Sequence, residues 1–149
     1  MKKIGVTATR NGLTAAQVHV FDRLLREASD ELAEELQELE LHHGDCVGGD
    51  ATIDQMARHL GIRRVSHPPV NAGYRAWCDA DDVREPRGYV ERDHDIVEET
   101  EELWVGPGGM TEQQRSGTWL TARYARKHNR PLVIVWPDGR VSREAPQVG

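Results

Sequence analysis

Cysteine, aromatic side chains and long apolar runs are all scarce in this sequence of 149 residues. The two cysteines, Cys46 and Cys78, have neither the paired spacing of a zinc site nor the density of a disulfide-held secreted scaffold, so reduced thiols are expected. No stretch approaches the roughly 20 apolar residues of a membrane span. Met1-Lys2-Lys3 leads into one short apolar run and then a turn, Thr9-Arg10-Asn11-Gly12, without the hydrophobic region or cleavage site of a secretory signal; a cytoplasmic protein with no membrane partner is expected. Positive charge is in deficit too. With 19 Lys and Arg against 25 Asp and Glu, the net charge of −6 argues against broad nucleic-acid binding, which Lys and Arg lead. Much of the acid sits in Glu27 to Glu40 and Glu98 to Glu102, while arginines fall near glycine-rich turns, so global acidity does not exclude a basic pocket.

What is present is an alternation of short apolar runs with helical patterns. Lys3 to Ala8 reads as a buried strand opening into a turn. Thr14 is a suitable N-cap for a helix from Ala15, with Val18, Phe21, Leu24, Leu25 and Ala28 at helical spacing. A second strand is placed at Glu40 to Gly44, a helix at Ala51 to Leu60 closed by Gly61, and a third strand at Ile62 to His67. Tyr89 to Glu99 reads as a helix, Glu102 to Gly106 as a fourth strand, Gly117 to His128 as a helix with Leu120, Tyr124 and Ala125 inward, and Leu132 to Trp136 as a fifth strand. Such alternation predicts an α/β, Rossmann-like, open and mainly parallel five-stranded sheet with helices on both faces. One domain is expected over 1–149, with a polar tail over 139–149 that forms a small hairpin or a loose end. The stretch from Val70 to Gly88 is too long for a plain connection; it is either a functional loop or lid, or an irregular insertion.

Ligands of such sheets sit beyond the carboxyl ends of the strands, and three loops there are candidates for holding phosphate. Thr7, Thr9 and Arg10 end the first strand with hydroxyls and a guanidinium fork. Gly48, Gly49 and Asp50 lead into a helix whose first amides are unpaired, although Gly44, Gly48 and Gly49 do not make the dinucleotide G-x-G-x-x-G. Asp50 is an N-cap candidate, or a partner for ribose hydroxyls. Ser116, Gly117 and Thr118 open the last helix, with Ser116 as its cap. The histidines His43, His67 and His94 lack metal-ligand spacing, so no metal is expected, and no cofactor is called for.

From Lys3 to Trp136 these residues resemble the SLOG superfamily, which joins DprA-like DNA-processing proteins, LOG phosphoribohydrolases and small nucleotide-binding relatives. The likeness rests on Thr7-Ala8-Thr9-Arg10, on His43-Gly44 through Gly49-Asp50, on Arg92, and on Ser116-Gly117-Thr118 followed by a helix and Pro131 to Val135. It implies a Rossmann-like sheet, often dimeric, that binds a nucleotide or an ADP-ribose-like ligand with phosphate over the Gly-Thr helix start. The LOG enzymes split an N-glycosidic bond with an arginine and a glutamate in P-G-G-x-G-T-x-x-E. Here Pro107-Gly108-Gly109 is separated from Ser116-Gly117-Thr118, and the glutamate position is Thr121, which cannot carry the charge that cleavage needs. Glu91, beside the matching Arg92, and Glu112 in the inserted loop are the candidates to replace it. The sequence therefore favours a nucleotide-binding sensor or accessory module. A nucleoside-phosphate N-glycosidase using Glu91, Arg92 and Glu112 is the alternative, and single-stranded DNA binding a weaker one.

Overall fold

In the computed structural model, which describes residues 1–146, the first apolar run forms β1 (Lys2–Ala8), whose side chains alternate between two buried faces. α1 (Ala15–Glu34) starts where Thr14 and Gln17 cap each other: Thr14 Oγ1 accepts from the Gln17 amide at 3.1 Å, and Gln17 Oε1 from the Thr14 amide at 2.9 Å. The chain continues through β2 (Leu39–His43), α2 (Gly49–His59), β3 (Arg63–Ser66), a 3-10 turn (Ala72–Tyr74), β4 (Asp82–Val83), α3 (Tyr89–Glu98), β5 (Glu102–Gly106), α4 (Gly117–Lys127), β6 (Leu132–Val135) and β7 (Val141–Glu144). No helix among the described residues is long and apolar enough to cross a membrane.

The sheet has seven strands rather than the five expected, in the order β4-β3-β2-β1-β5-β6-β7. All pairs are parallel except β6 with β7. The two extra strands are the edges. β4 has two residues, too few to show an alternation, and lies inside the 70–88 stretch, which is thereby partly structured. β7 is the polar Val-Ser-Arg-Glu segment of the expected tail, held by backbone pairing rather than by an apolar face; residues 147–149 lie outside the described ones.

One face of the sheet, with Ile4, Val6, Leu39, Leu41, Trp104 and Val133, packs under α1 and α2 through Phe21, Leu25 and Ile53. The other, with Leu103, Val105, Leu132 and Ile134, packs under α3 and α4 through Ile96, Val97 and Trp119. Each such side chain, removed from water, contributes roughly 1.5–3 kcal/mol. Gly5 brings α3 close to β1, since a Cβ there would stand 2.9 Å from both Ile96 and Thr100. On α4 the inward residues are Thr118, Trp119, Ala122 and Ala125; Leu120, expected inside, is 55% exposed because one helical step of about 100° carries it past the buried stripe.

Strand order reverses direction at β1. Beyond it the chain first builds outward through β2, β3 and β4, then returns to place β5 on the other side of β1. The loops after β1 and β5 thus part in opposite directions and leave a crevice between them. Gln17 ties the first turn of α1 to this edge, donating to the carbonyls of Pro107 at 2.8 Å and Val135 at 2.9 Å.

Candidate functional site

A cleft of about 580 Å³ occupies that crevice. Its walls are the β1 exit from Thr7 to Asn11, the turn after β2 (Gly44, Cys46, Asp50), the inner side of α3 (Tyr89, Arg92, Asp93, Ile96) and the β5–α4 loop with Arg115 to Trp119. Of the residues singled out in the sequence, Thr7, Thr9, Arg10, Asp50, Arg92, Ser116, Gly117 and Thr118 all meet here.

The first and third loops present donors. Thr9 is fixed by backbone pairing to Gly106 (2.9 Å) and accepts from the Asn11 amide at 3.2 Å, while the exposed Arg10 lays its guanidinium 4.2 Å from the Tyr74 ring centre. Gly108 permits the β5–α4 loop to close on Thr9, whose hydroxyl would stand 2.9 Å from a Cβ. Ser116 caps α4 by accepting from the Trp119 amide (3.4 Å), which leaves the first-turn amides of Gly117 and Thr118 without intrahelical partners at the positive end of the helix.

The second loop works differently from the expectation. Gly48 and Gly49 do not line the cleft. A Cβ on Gly48 would stand 2.3 Å from the Arg10 carbonyl oxygen and one on Gly49 2.4 Å from the Ala8 Cβ, and the Gly49 amide is already spent on the Thr9 carbonyl at 2.8 Å. These glycines let the start of α2 lie against the end of β1. Asp50 is not the N-cap either; Gly48 occupies that position. Asp50 Oδ2 instead accepts from the amides of Gly44 (3.1 Å) and Cys46 (3.4 Å), holding the β2–α2 turn from inside, and Oδ1 has no partner. Burial drives its pKa up, against the pull of His43 and Arg92.

Arg92 forms the floor. It is 5% exposed, donates through Nη1 to the Gly44 carbonyl and to Cys46 Sγ (3.4 Å), and lies 4.9 Å from the Tyr89 ring centre. Its Nε stands 3.0 Å from Asp93 Oδ1, close enough for ion pairing although not aligned for a hydrogen bond. Burial pushes Asp93 up to about 6 despite Arg92, with Thr121 close to its carboxyl while the Thr121 hydroxyl donates to the Gly117 carbonyl at 3.0 Å.

Neither carboxylate proposed from sequence reaches the cleft wall. Glu91 points outward from α3, and Glu112 is held at the surface by Arg123 (3.0 Å) and Arg126 (2.9 Å). Asp93, Tyr89 and Arg115 were the residues missed. A signal for the first two existed: Tyr89, Arg92, Asp93 and Ile96 follow the i, i+3, i+4, i+7 spacing of a single helix face, with Glu91 off it.

No family model matches the chain, and no curated protein does. Solved structures do. A molybdenum cofactor binding protein from the phototrophic bacterium Rippkaea orientalis aligns over 91% of this chain and 76% of its own, with TM-score 0.66 and 18% identity. The molybdenum cofactor carrier protein of Chlamydomonas reinhardtii aligns over 89% and 75%, with TM-score 0.60 and 19% identity. The structural-genomics target TM1055 aligns over 89% and 72%, with TM-score 0.60 and 14% identity. At these identities the likeness is one of fold, and it supports the Rossmann-like assignment. It also overturns the expectation that no cofactor is involved, because two of these three proteins are described as cofactor binders. The sequence lacked the dinucleotide fingerprint, and that absence excludes only one way of holding a cofactor.

Proposed function

We propose that this chain is a binding protein for a small organic phosphate, a fused-ring heterocycle carrying a phosphate monoester, held in the crevice between β1 and β5. The observation that carries the reading is the mixed lining of the cleft. Arg10, Arg115, Ser116 and the free first-turn amides of α4 offer charge and donors suited to a phosphate. Tyr89, Ile96 and the carboxyls of Asp50 and Asp93 offer apolar surface and acceptors suited to a ring bearing N–H groups. The volume lies within the roughly 300–1,000 Å³ typical of small-molecule sites.

Two ligand classes share this chemistry: nucleoside monophosphates and the pterin phosphate of the molybdenum cofactor. The latter gains support from the two cofactor-binding proteins of like fold. Its metal would supply redox chemistry to whichever enzyme received it, while the residues here would hold the phosphate and shield the ring. Differential scanning fluorimetry with inorganic phosphate, nucleoside monophosphates and anaerobically released molybdenum cofactor tests the reading, since a ligand of the native state raises its stability by RT ln(1 + [L]/Kd). Stabilisation by the cofactor alone assigns a carrier and by a nucleotide alone a nucleotide binder; no response to any of them refutes the proposal. Arg115→Ala should weaken binding roughly 10- to 100-fold, the equivalent of about 1.5–3 kcal/mol for a charge-assisted contact.

A second reading, cleavage of an N-glycosidic bond in a nucleoside phosphate, draws on one observation. Asp93 comes from α3 to meet Thr121, the position at which the resemblance calls for a glutamate, and burial keeps its carboxyl near the range of a general acid or base. Release of free base from a nucleoside monophosphate, abolished in Asp93→Asn with binding retained, would support it. Undiminished release in that variant would sink it.

A further inference from the structure

The sheet carries a buried polar cluster that the cleft does not use. On β2, Leu39 and Leu41 pack under α1 and α2, so Glu40 and His42 project from the opposite face, where a Rossmann-like sheet ordinarily buries apolar side chains. His42 is fully buried and His67, just past β3, is 3% exposed. Burying such groups is costly unless every polar atom is matched.

Each ring is backed by a carboxylate. Glu40 Oε1 stands 2.7 Å from His42 Nε2, and its other oxygen accepts from Arg63 Nε at 3.1 Å, which fixes Glu40 as the acceptor and His42 Nε2 as the N–H donor. The lone pair of His42 is then on Nδ1, aimed at His67 Nε2 only 2.8 Å away. His67 Nδ1 lies 3.8 Å from Glu99 Oε2, while Arg84 takes the other Glu99 oxygen at 2.7 Å. Two imidazole nitrogens thus face each other across a gap that holds one proton, and that a cation could take only if it widened.

We propose that His42, His67 and Glu99 form a binding site for a divalent zinc-like metal ion, with Glu40 orienting His42 from behind. Ligand atoms of the three residues lie within 4.8 Å of one another. Two imidazoles and a carboxylate are a donor set suited to zinc, and a carboxylate behind a ligating histidine is the outer support such sites employ. Glu99, about one-third exposed, opens the site to solvent. Occupation requires the facing nitrogens to part from 2.8 Å to about 3.3 Å, the separation of two ligands on a tetrahedral ion at about 2.0 Å, and requires the His67 proton to move from Nε2 to Nδ1. A neighbouring set, His43, Asp54 and Cys78, is less suited, because both Asp54 oxygens are engaged, Oδ1 by His43 at 2.8 Å and Oδ2 by the Arg64 guanidinium at 3.0 Å, whereas Arg84 takes only Oε1 of Glu99 and leaves Oε2 facing His67.

The test uses the full chain, freed of metal by a chelator and titrated with Zn²⁺ by calorimetry, then with Co²⁺ followed by absorption. One equivalent of zinc should bind, and the cobalt spectrum should lack a sulfur charge-transfer band. Glu99→Gln, at the exposed rim and nearly isosteric, should weaken zinc at least ~10-fold, as should His67→Ala, while Cys78→Ser leaves it unchanged. Absence of saturable binding at micromolar zinc overturns the proposal. So does binding that survives Glu99→Gln undiminished, or that is lost in Cys78→Ser with a thiolate band in the cobalt spectrum.

Discussion

Gly48→Ala isolates what the glycine-rich turn is for. The native backbone at Gly48 has φ +89°, and an added Cβ would stand 2.3 Å from the Arg10 carbonyl oxygen, 2.6 Å from its carbon and 2.8 Å from the Thr9 oxygen. Those are backbone atoms at the end of a central strand and cannot rotate aside. Backbone strain contributes roughly 1–3 kcal/mol and forced displacement a similar amount, so a loss of about 4 kcal/mol is expected. For a domain of this size that corresponds to a fall in Tm of roughly 8–16 °C. Gly61 supplies the control: its φ is +71° but nothing lies within 4 Å of the added Cβ, so Gly61→Ala should lose only the strain, about 1–2 kcal/mol. Urea unfolding followed by tryptophan fluorescence, with calorimetry for Tm, measures both. Equal losses in the two variants would refute the argument that close approach to β1 is what demands glycine at 48. An unchanged stability with lost ligand binding would return Gly48 to the phosphate site.

Asp93 titrates near 6 in the folded chain, above its unfolded value, so its contribution to stability is fully present below about pH 4 and is lost as pH rises through 6. Asp93→Asn should therefore gain stability over the parent at pH 8, on the order of 2–3 kcal/mol, with the gain shrinking toward pH 4.5; a gain independent of pH in urea titrations would contradict this. Trp119→Ala should cost about 3–5 kcal/mol and the adjacent Leu120→Asn less than about 0.5 kcal/mol, since the first is buried and the second exposed; comparable losses in unfolding midpoints would mean that α4 is rotated. Glu112→Gln removes two partly exposed ion pairs and should cost less than about 1 kcal/mol, and neither it nor Glu91→Gln should alter ligand affinity by calorimetry.

The elements that pack apolar side chains were legible in the sequence, because Val6, Phe21, Leu25, Leu103 and Ile134 each repeat at the period of their element. The polar strands were not. β2 was placed by its position between a helix and a glycine turn, while the role of its Glu40 and His42 depends on His67 and Glu99, brought near only by strand pairing. Asp50 illustrates a second limit. A carboxylate at the start of a helix reads as a cap, yet this one turns back to the loop that precedes it, a choice made by the positive φ of Gly48 and its seat against Arg10. At the cleft, the hydroxyls and arginine after β1 and the start of α4 were found because loops after parallel strands share one edge of the sheet. Asp93 was passed over in favour of Glu91, a choice that the helical face through Arg92 and Ile96 decides the other way.

The antiparallel β7 also covers what would otherwise be an apolar edge of the sheet. β6 is a run of four apolar residues, Leu132 to Val135, whose outer backbone groups are satisfied only by β7. β7 in turn shows the surroundings a polar strand with Arg143, and Glu144 is clamped to α4 by two bonds from Arg126 at 2.8 and 2.9 Å. Stripping away that strand would leave a bare apolar ribbon ready to recruit the same ribbon from another molecule, and a chain shortened to Pro137 should scatter light at concentrations where the full chain stays clear.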